Sequence, residues 1–99
     1  MKQYRVSDVA RADLDEIWVY IAQDNPDAAD RLIRAIVSRF PMLASMPEMG
    51  RQREELAARL HSFPIGNYII FYHLIPGGVV VTQVCDGRRD LPSVFRGTL

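Results

Sequence analysis

Two apolar runs, residues 68–75 and 79–86, are separated only by Pro76-Gly77-Gly78, and this pairing limits the fold more than any other feature of the chain. Runs of this length rich in Val, Ile, Tyr and Phe, joined by a proline–glycine turn, predict an antiparallel hairpin. A two-stranded hairpin is marginal in water by itself, so the rest of the chain must supply further strands and a covering layer. A third run, 56–63, comes just before Pro64-Ile65-Gly66-Asn67 and extends the expected sheet.

The covering layer is legible upstream. After a short strand over Gln3–Val6, Ser7 predicts an N-cap for a helix running to about Gln23. Ala10, Leu14, Ile17 and Ile21 recur along it at helical spacing. The chain breaks at Asp24-Asn25-Pro26-Asp27, where asparagine can cap and proline fits a first helical turn. A second helix follows with the stripe Ala29, Leu32, Ile33, Ile36, Phe40 and Leu43. Pro41 predicts a kink within it and Pro47 its end. Arg11 with Asp15, Asp27 with Arg31 and Asp30 with Arg34 are spaced for helical ion pairs. The short connection predicts an antiparallel two-helix hairpin packed on an antiparallel sheet. The expected class is therefore α+β in the order β-α-α-β-β-β, with a short C-terminal tail, as one domain over residues 1–99.

Loop lengths set which strand residues share a face. If residues 64–67 and 76–78 are the loops, Phe63 pairs with Tyr68 and Ile75 with Val79. One face then collects Leu56, Ala58, Leu60, Ile69, Phe71, Ile75, Val79, Val81 and Cys85, with His73 and Gln83 among them, and is expected under the helices. The other collects Arg59, His61, Tyr68, Ile70, Tyr72, Val80, Thr82, Val84 and Asp86, a mixed surface suited to work.

Twelve basic and twelve acidic residues leave no net charge to attract nucleic acid over the whole surface. All but one of the bases are arginine, whose planar fork suits carboxylate and phosphate partners. A single cysteine, Cys85, excludes an internal disulfide and fits a reducing cytoplasm. No leader or membrane-spanning run is apparent, so a cytoplasmic location and no membrane partner are expected. The two histidines fall on opposite expected faces and no ligand spacing is present, so neither metal nor cofactor is expected.

Three groups remain as functional candidates. Arg59, His61 and Tyr72 share the mixed face and are the residue types of an acid–base set for phosphodiester cleavage, with histidine moving the proton and arginine stabilising charge. The alternative is a solvated sheet face. Arg88, Arg89, Phe95 and Arg96 form a basic tail with one aromatic, the composition of a binding hot spot, although Asp90 could tie it to the sheet instead. Trp18, Val19 and Val37 lie off the main helical stripes and either offer apolar surface to a partner or widen the core.

Tyr4, Val6, Ala10, Asp13-Leu14-Asp15-Glu16-Ile17, Tyr20-Ile21-Ala22, Asn25-Pro26, Ala28-Ala29, Leu43-Ala44, Pro47, Gly50-Arg51, Phe63-Pro64-Ile65-Gly66-Asn67-Tyr68, Phe71-Tyr72 and Gly87-Arg88-Arg89-Asp90 together resemble the ParE branch of the ParE/RelE toxin superfamily. The resemblance runs over nearly the whole chain. It implies the toxin of a type II toxin–antitoxin pair, acting in growth arrest and plasmid stabilisation. The implied partner is a small ParD-like antitoxin of the ribbon-helix-helix, DNA-binding kind, which can join the toxin in a higher-order oligomer.

In the ParE branch the implied target is DNA gyrase, poisoned without catalysis by the toxin. Arg59, Tyr72, Arg88, Arg89, Phe95 and Arg96 are then the expected target contacts, and Trp18, Val19 and Val37 the antitoxin contacts. The RelE branch implies instead ribosome-dependent messenger RNA cleavage, for which Arg59, His61 and Tyr72 are the candidates. A toxin that has lost activity and only binds its antitoxin is a third alternative. Asp86 departs from the pattern, since relatives often carry histidine there.

Overall fold

The structure, a computed structural model, describes residues 2–88. β1 (Gln3–Val6) leads into α1 (Asp8–Ala22) and α2 (Pro26–Ser45), and a 3₁₀ turn at Pro47–Met49 follows. β2 (Arg51–Gln52), β3 (Leu60–Ile65), β4 (Tyr68–Ile75) and β5 (Gly78–Asp86) complete the order. Both helix starts form as their residues dictate. The Ser7 hydroxyl accepts from the Ala10 N–H at 3.0 Å, and the Asn25 side chain accepts from the Ala28 N–H at 3.0 Å, each satisfying a donor the helix cannot. Pro26 occupies the first turn of α2, and the helix continues through Pro41 to Ser45.

The α+β class and the helical hairpin stand as expected. The sheet is mixed rather than antiparallel throughout, as was expected, with five strands in the order β1-β5-β4-β3-β2. β1 lies parallel to β5, from Gln3 opposite Gly78 to Val6 opposite Val81, while the other neighbours are antiparallel. β3 starts at Leu60, four residues later than expected, because residues 53–59 form a turn-rich segment. It then runs on through Pro64, so that Ile65 pairs with Tyr68 across a tight Gly66-Asn67 turn, with Gly66 at φ 58°. Pro64 is tolerated because β2 pairs only with His61 and Ser62, which leaves this end of β3 at the sheet edge.

The face assignment needs correction. Ile70, Tyr72, Val79, Val81 and Val84 form the main core with Ala10, Ile36, Phe40, Leu43 and Ala44 of the helices. Leu60, Phe71 and Cys85 lie on the other side, where Leu56, Ala57 and Ile69 pack against them. Two physical facts account for the exchange. Both faces are apolar, so alternation sorts residues into two sets without saying which set the helices cover. In addition, Ile75 pairs with Gly78, and a bulge between Phe71 and Tyr72 absorbs one residue, so that Phe71 faces Gln83 while Tyr72 faces Val81. The bulge moves Val79 and Val81 onto the Tyr72 face. Tyr4 adds an edge-to-face contact with Phe40, ring centres 5.7 Å apart.

The expected helical ion pairs do not form. Among the described residues the ion pairs are Arg53–Glu55 and Arg88–Asp86. Asp30 instead accepts the Trp18 indole N–H at 2.8 Å, which ties α1 to α2. No helix among the described residues is long and apolar enough to cross a membrane.

Candidate functional site

Of the suspected acid–base set, the fold brings two members together. His61 stands opposite Tyr72 in the β3–β4 register, and their rings stack with centres 5.5 Å apart. His61 is only 7% exposed, and its Nδ1 lies 3.4 Å from the Arg59 carbonyl. Tyr72 is fully buried. Its hydroxyl donates to the Pro47 carbonyl at 2.6 Å and accepts the Gly50 N–H at 3.0 Å, so both hydrogen-bonding functions are committed to backbone. Burial pushes the Tyr72 hydroxyl pKa up, and the Gly50 hydrogen bond opposes this.

The expectation that Tyr72 contributes to a working surface is therefore corrected: it faces the helical layer. Arg59 precedes β3 in a left-handed conformation, φ 61°, with its N–H on Glu54 Oε1 and its side chain exposed. It shares the neighbourhood of His61 through its backbone.

On the face away from the helices, Arg53 Nη1 donates to Ser62 Oγ at 3.3 Å. Gln83 is buried with its Oε1 unsatisfied by any described group. His73 is partly buried there, and burial together with nearby His61 lowers its pKa from 6.5. The Cys85 thiol is buried. Among the described residues no cluster of His, Cys, Asp and Glu could hold a metal ion.

The start of the tail is held in place by its own acid. Asp86 Oδ1 accepts both the backbone N–H and Nε of Arg88 at 2.9 Å, and Arg88 Nη2 reaches Asp86 Oδ2 at 2.5 Å. Asp86 thereby aims an exposed guanidinium outward, while the Gly87 N–H anchors to the Asn67 carbonyl at 2.8 Å. Arg89, Phe95 and Arg96 lie outside the described residues.

The hairpin candidates separate. Trp18 and Val19 are exposed, 38% and 53%, whereas Val37 is partly buried and packs against the core. Val37 sits at the edge of a wide apolar stripe, which one-dimensional spacing does not distinguish from an outward position. The sequence reading missed Tyr20, which is 73% exposed. Asp13, Glu16 and Tyr20 recur at helical intervals beside the core stripe, and that spacing was the available signal. Tyr20 joins two adjoining depressions. One, of about 310 Å³, is lined by Asp15, Glu16, Val19 and Gln23. The other, of about 230 Å³, lies between α1 and the strand ends at Tyr68, Asp86 and Arg88.

Comparison with known proteins gives consistent matches. Residues 4–91 match the family described as the ParE toxin of type II toxin-antitoxin system, parDE. The chain is 36% identical over 75 residues to Toxin ParE1 of Caulobacter vibrioides, covering 75% of this chain and 78% of the relative. It is 32% identical over 85 residues to Toxin RelE3 of the same organism, covering 85% and 92%. Among solved structures, the chromosomal ParDE TA system from P. aeruginosa superposes with a TM-score of 0.73 at 17% identity, over 87% of this chain and 96% of that one. The RelBE2 toxin-antitoxin complex from Mycobacterium tuberculosis gives 0.64 at 24% identity, over 86% and 96%. At these identities the two structures share the fold.

Proposed function

Because the chain belongs to the ParE toxin family of type II toxin–antitoxin systems, we propose that it arrests growth by binding DNA gyrase, without cutting a substrate itself, and that a cognate antitoxin holds it inactive. The family match over residues 4–91 carries this reading. The geometry supports it: Tyr72 spends its hydroxyl on Pro47 and Gly50, and His61 is stacked and nearly buried. A general acid or base must reach the atom it protonates. Arg88, held out by Asp86, begins the segment proposed to engage the target, which continues through Arg89, Phe95 and Arg96. Arg59, exposed beside β3, is a further proposed contact. The antitoxin is assigned to the exposed face of α1 around Trp18 and Val19.

A second reading, ribosome-dependent cleavage of messenger RNA, draws on the identity to the relative named RelE3. Induction of the chain alone separates the alternatives. The expected result is growth arrest that co-expressed antitoxin relieves, with transcript ends unchanged and His61→Ala still toxic. New transcript ends that disappear in His61→Ala would establish the nuclease, and unimpaired growth would leave only antitoxin binding.

A further inference from the structure

The groove beside Tyr20 has a definite charge. Asp15 and Glu16 stand at its rim, and neither takes part in the ion pairs among the described residues. Among the described residues the cation on its lining is Arg88, which is paired with Asp86. The groove runs along the C-terminal half of α1, where the helix dipole is negative, and no basic residue in the last turn offsets it. Burial, with the Asp86 carboxylate next in effect, raises the pKa of Tyr68 in its wall. One helical turn on from these acids, on the same lining, are Val19 and Tyr20, both largely exposed. The surface thus sets an apolar patch beside a negative one.

We propose that this groove receives a cationic amphipathic segment of the antitoxin, whose aliphatic side chains cover Val19 and Tyr20 while Lys or Arg residues pair with Asp15 and Glu16. The proposal rests on the antitoxin reading above and adds the sign and pattern of the segment that binds here. Apolar anchors supply the burial, and the flanking charges select register and partner. An acidic segment is disfavoured, because it would meet two carboxylates and a helix C-terminus together.

The test uses the full-length chain and the purified antitoxin encoded beside it. Affinity is measured by calorimetry for the unaltered chain, for Asp15→Lys/Glu16→Lys, for Tyr20→Ser, and for the charge-matched control Asp27→Lys/Glu48→Lys. All five positions are exposed, and thermal melting confirms that each variant is folded. The groove reversal is expected to weaken binding about tenfold or more at low salt, from loss of attraction and gain of repulsion at two rim positions. The loss should shrink as salt is raised, because rim charges are screened. Tyr20→Ser should weaken binding at every salt concentration, and the control should match the unaltered chain.

Equal affinity of the groove reversal and the unaltered chain would overturn the proposal while leaving the antitoxin reading intact. Tighter binding by the reversal would overturn the charge assignment. If the reversal abolishes self-association of the chain alone and spares antitoxin binding, the groove belongs to a second copy. An antitoxin that binds no form of the chain removes the antitoxin reading, and this proposal with it.

Discussion

The carboxylate of Asp13 on α1 accepts the backbone N–H of Val84 on β5 at 3.0 Å. β1 accompanies β5 only as far as Val81, after which the chain turns away into the helix. Ser7 continues the edge, its N–H on the Val81 carbonyl at 2.9 Å and its hydroxyl on the Thr82 carbonyl at 3.1 Å. Asp13 then satisfies a backbone donor that a longer β1 would have paired, and a charged side chain at this edge discourages the addition of a foreign strand. One carboxylate thereby fixes α1 against the sheet and sets the floor of the groove beside Tyr20.

Asp13→Ala is expected to lower stability by about 1.5–3 kcal/mol, the range for losing a hydrogen bond to a charged group. Asp13→Asn retains an acceptor oxygen and should recover much of the loss. Urea unfolding of the three proteins checks the order.

Gly50 and Tyr72 should be coupled. A Cβ at Gly50 would fall on the Tyr72 hydroxyl and within 2.8 Å of the Ser62 carbonyl. Tyr72→Phe leaves the Gly50 N–H and the Pro47 carbonyl without their partner and should cost about 1–3 kcal/mol. Gly50→Ala should cost less in the Tyr72→Phe background than alone, because the hydroxyl it strikes is gone. A double-mutant cycle by denaturation reads the coupling, and strict additivity would contradict this contact.

Trp18→Phe and Asp30→Ala remove the same hydrogen bond between α1 and α2. Each should cost about 0.5–1.5 kcal/mol at most, and the double variant less than the sum. Thermal melting is sufficient to detect this.

His73 makes stability depend on pH in a definite direction. Burial, then His61, lowers its folded pKa below 6.5. Between the lowered value and 6.5 the unfolded chain binds more protons than the folded one, so stability rises with pH in that window. The contribution is complete above 6.5 and declines as pH falls toward the folded pKa. His73→Asn should flatten the difference between urea midpoints taken at about pH 5.5 and about pH 7.5. An unchanged slope would assign it to other groups.

Local chemistry made the helical half legible: Ser7 and Asn25 cap where expected, and the stripes through Ile36, Phe40 and Leu43 are buried. The sheet was legible in its strands and less so in its pairing. The bulge opposite Phe71 and Tyr72, in which Thr82 is the extra residue, leaves no turn residue to mark it, and two apolar faces hide which one the helices cover. The parallel β1 is a tertiary choice that a four-residue strand does not announce. For the site, the shared face of His61 and Tyr72 followed from alternation. The burial of Tyr72 did not, because it depends on Pro47 and Gly50, distant in sequence. Tyr20 escaped notice because an outward aromatic lies outside any core pattern.

The central claim is inhibition of gyrase by binding, and a purified supercoiling assay tests it most directly. The full-length chain should block supercoiling and cause cleaved DNA–gyrase complexes to accumulate, His61→Ala should do so equally, and added antitoxin should reverse the block. Uninhibited supercoiling with no cleaved complex at large molar excess of a folded chain would contradict the account.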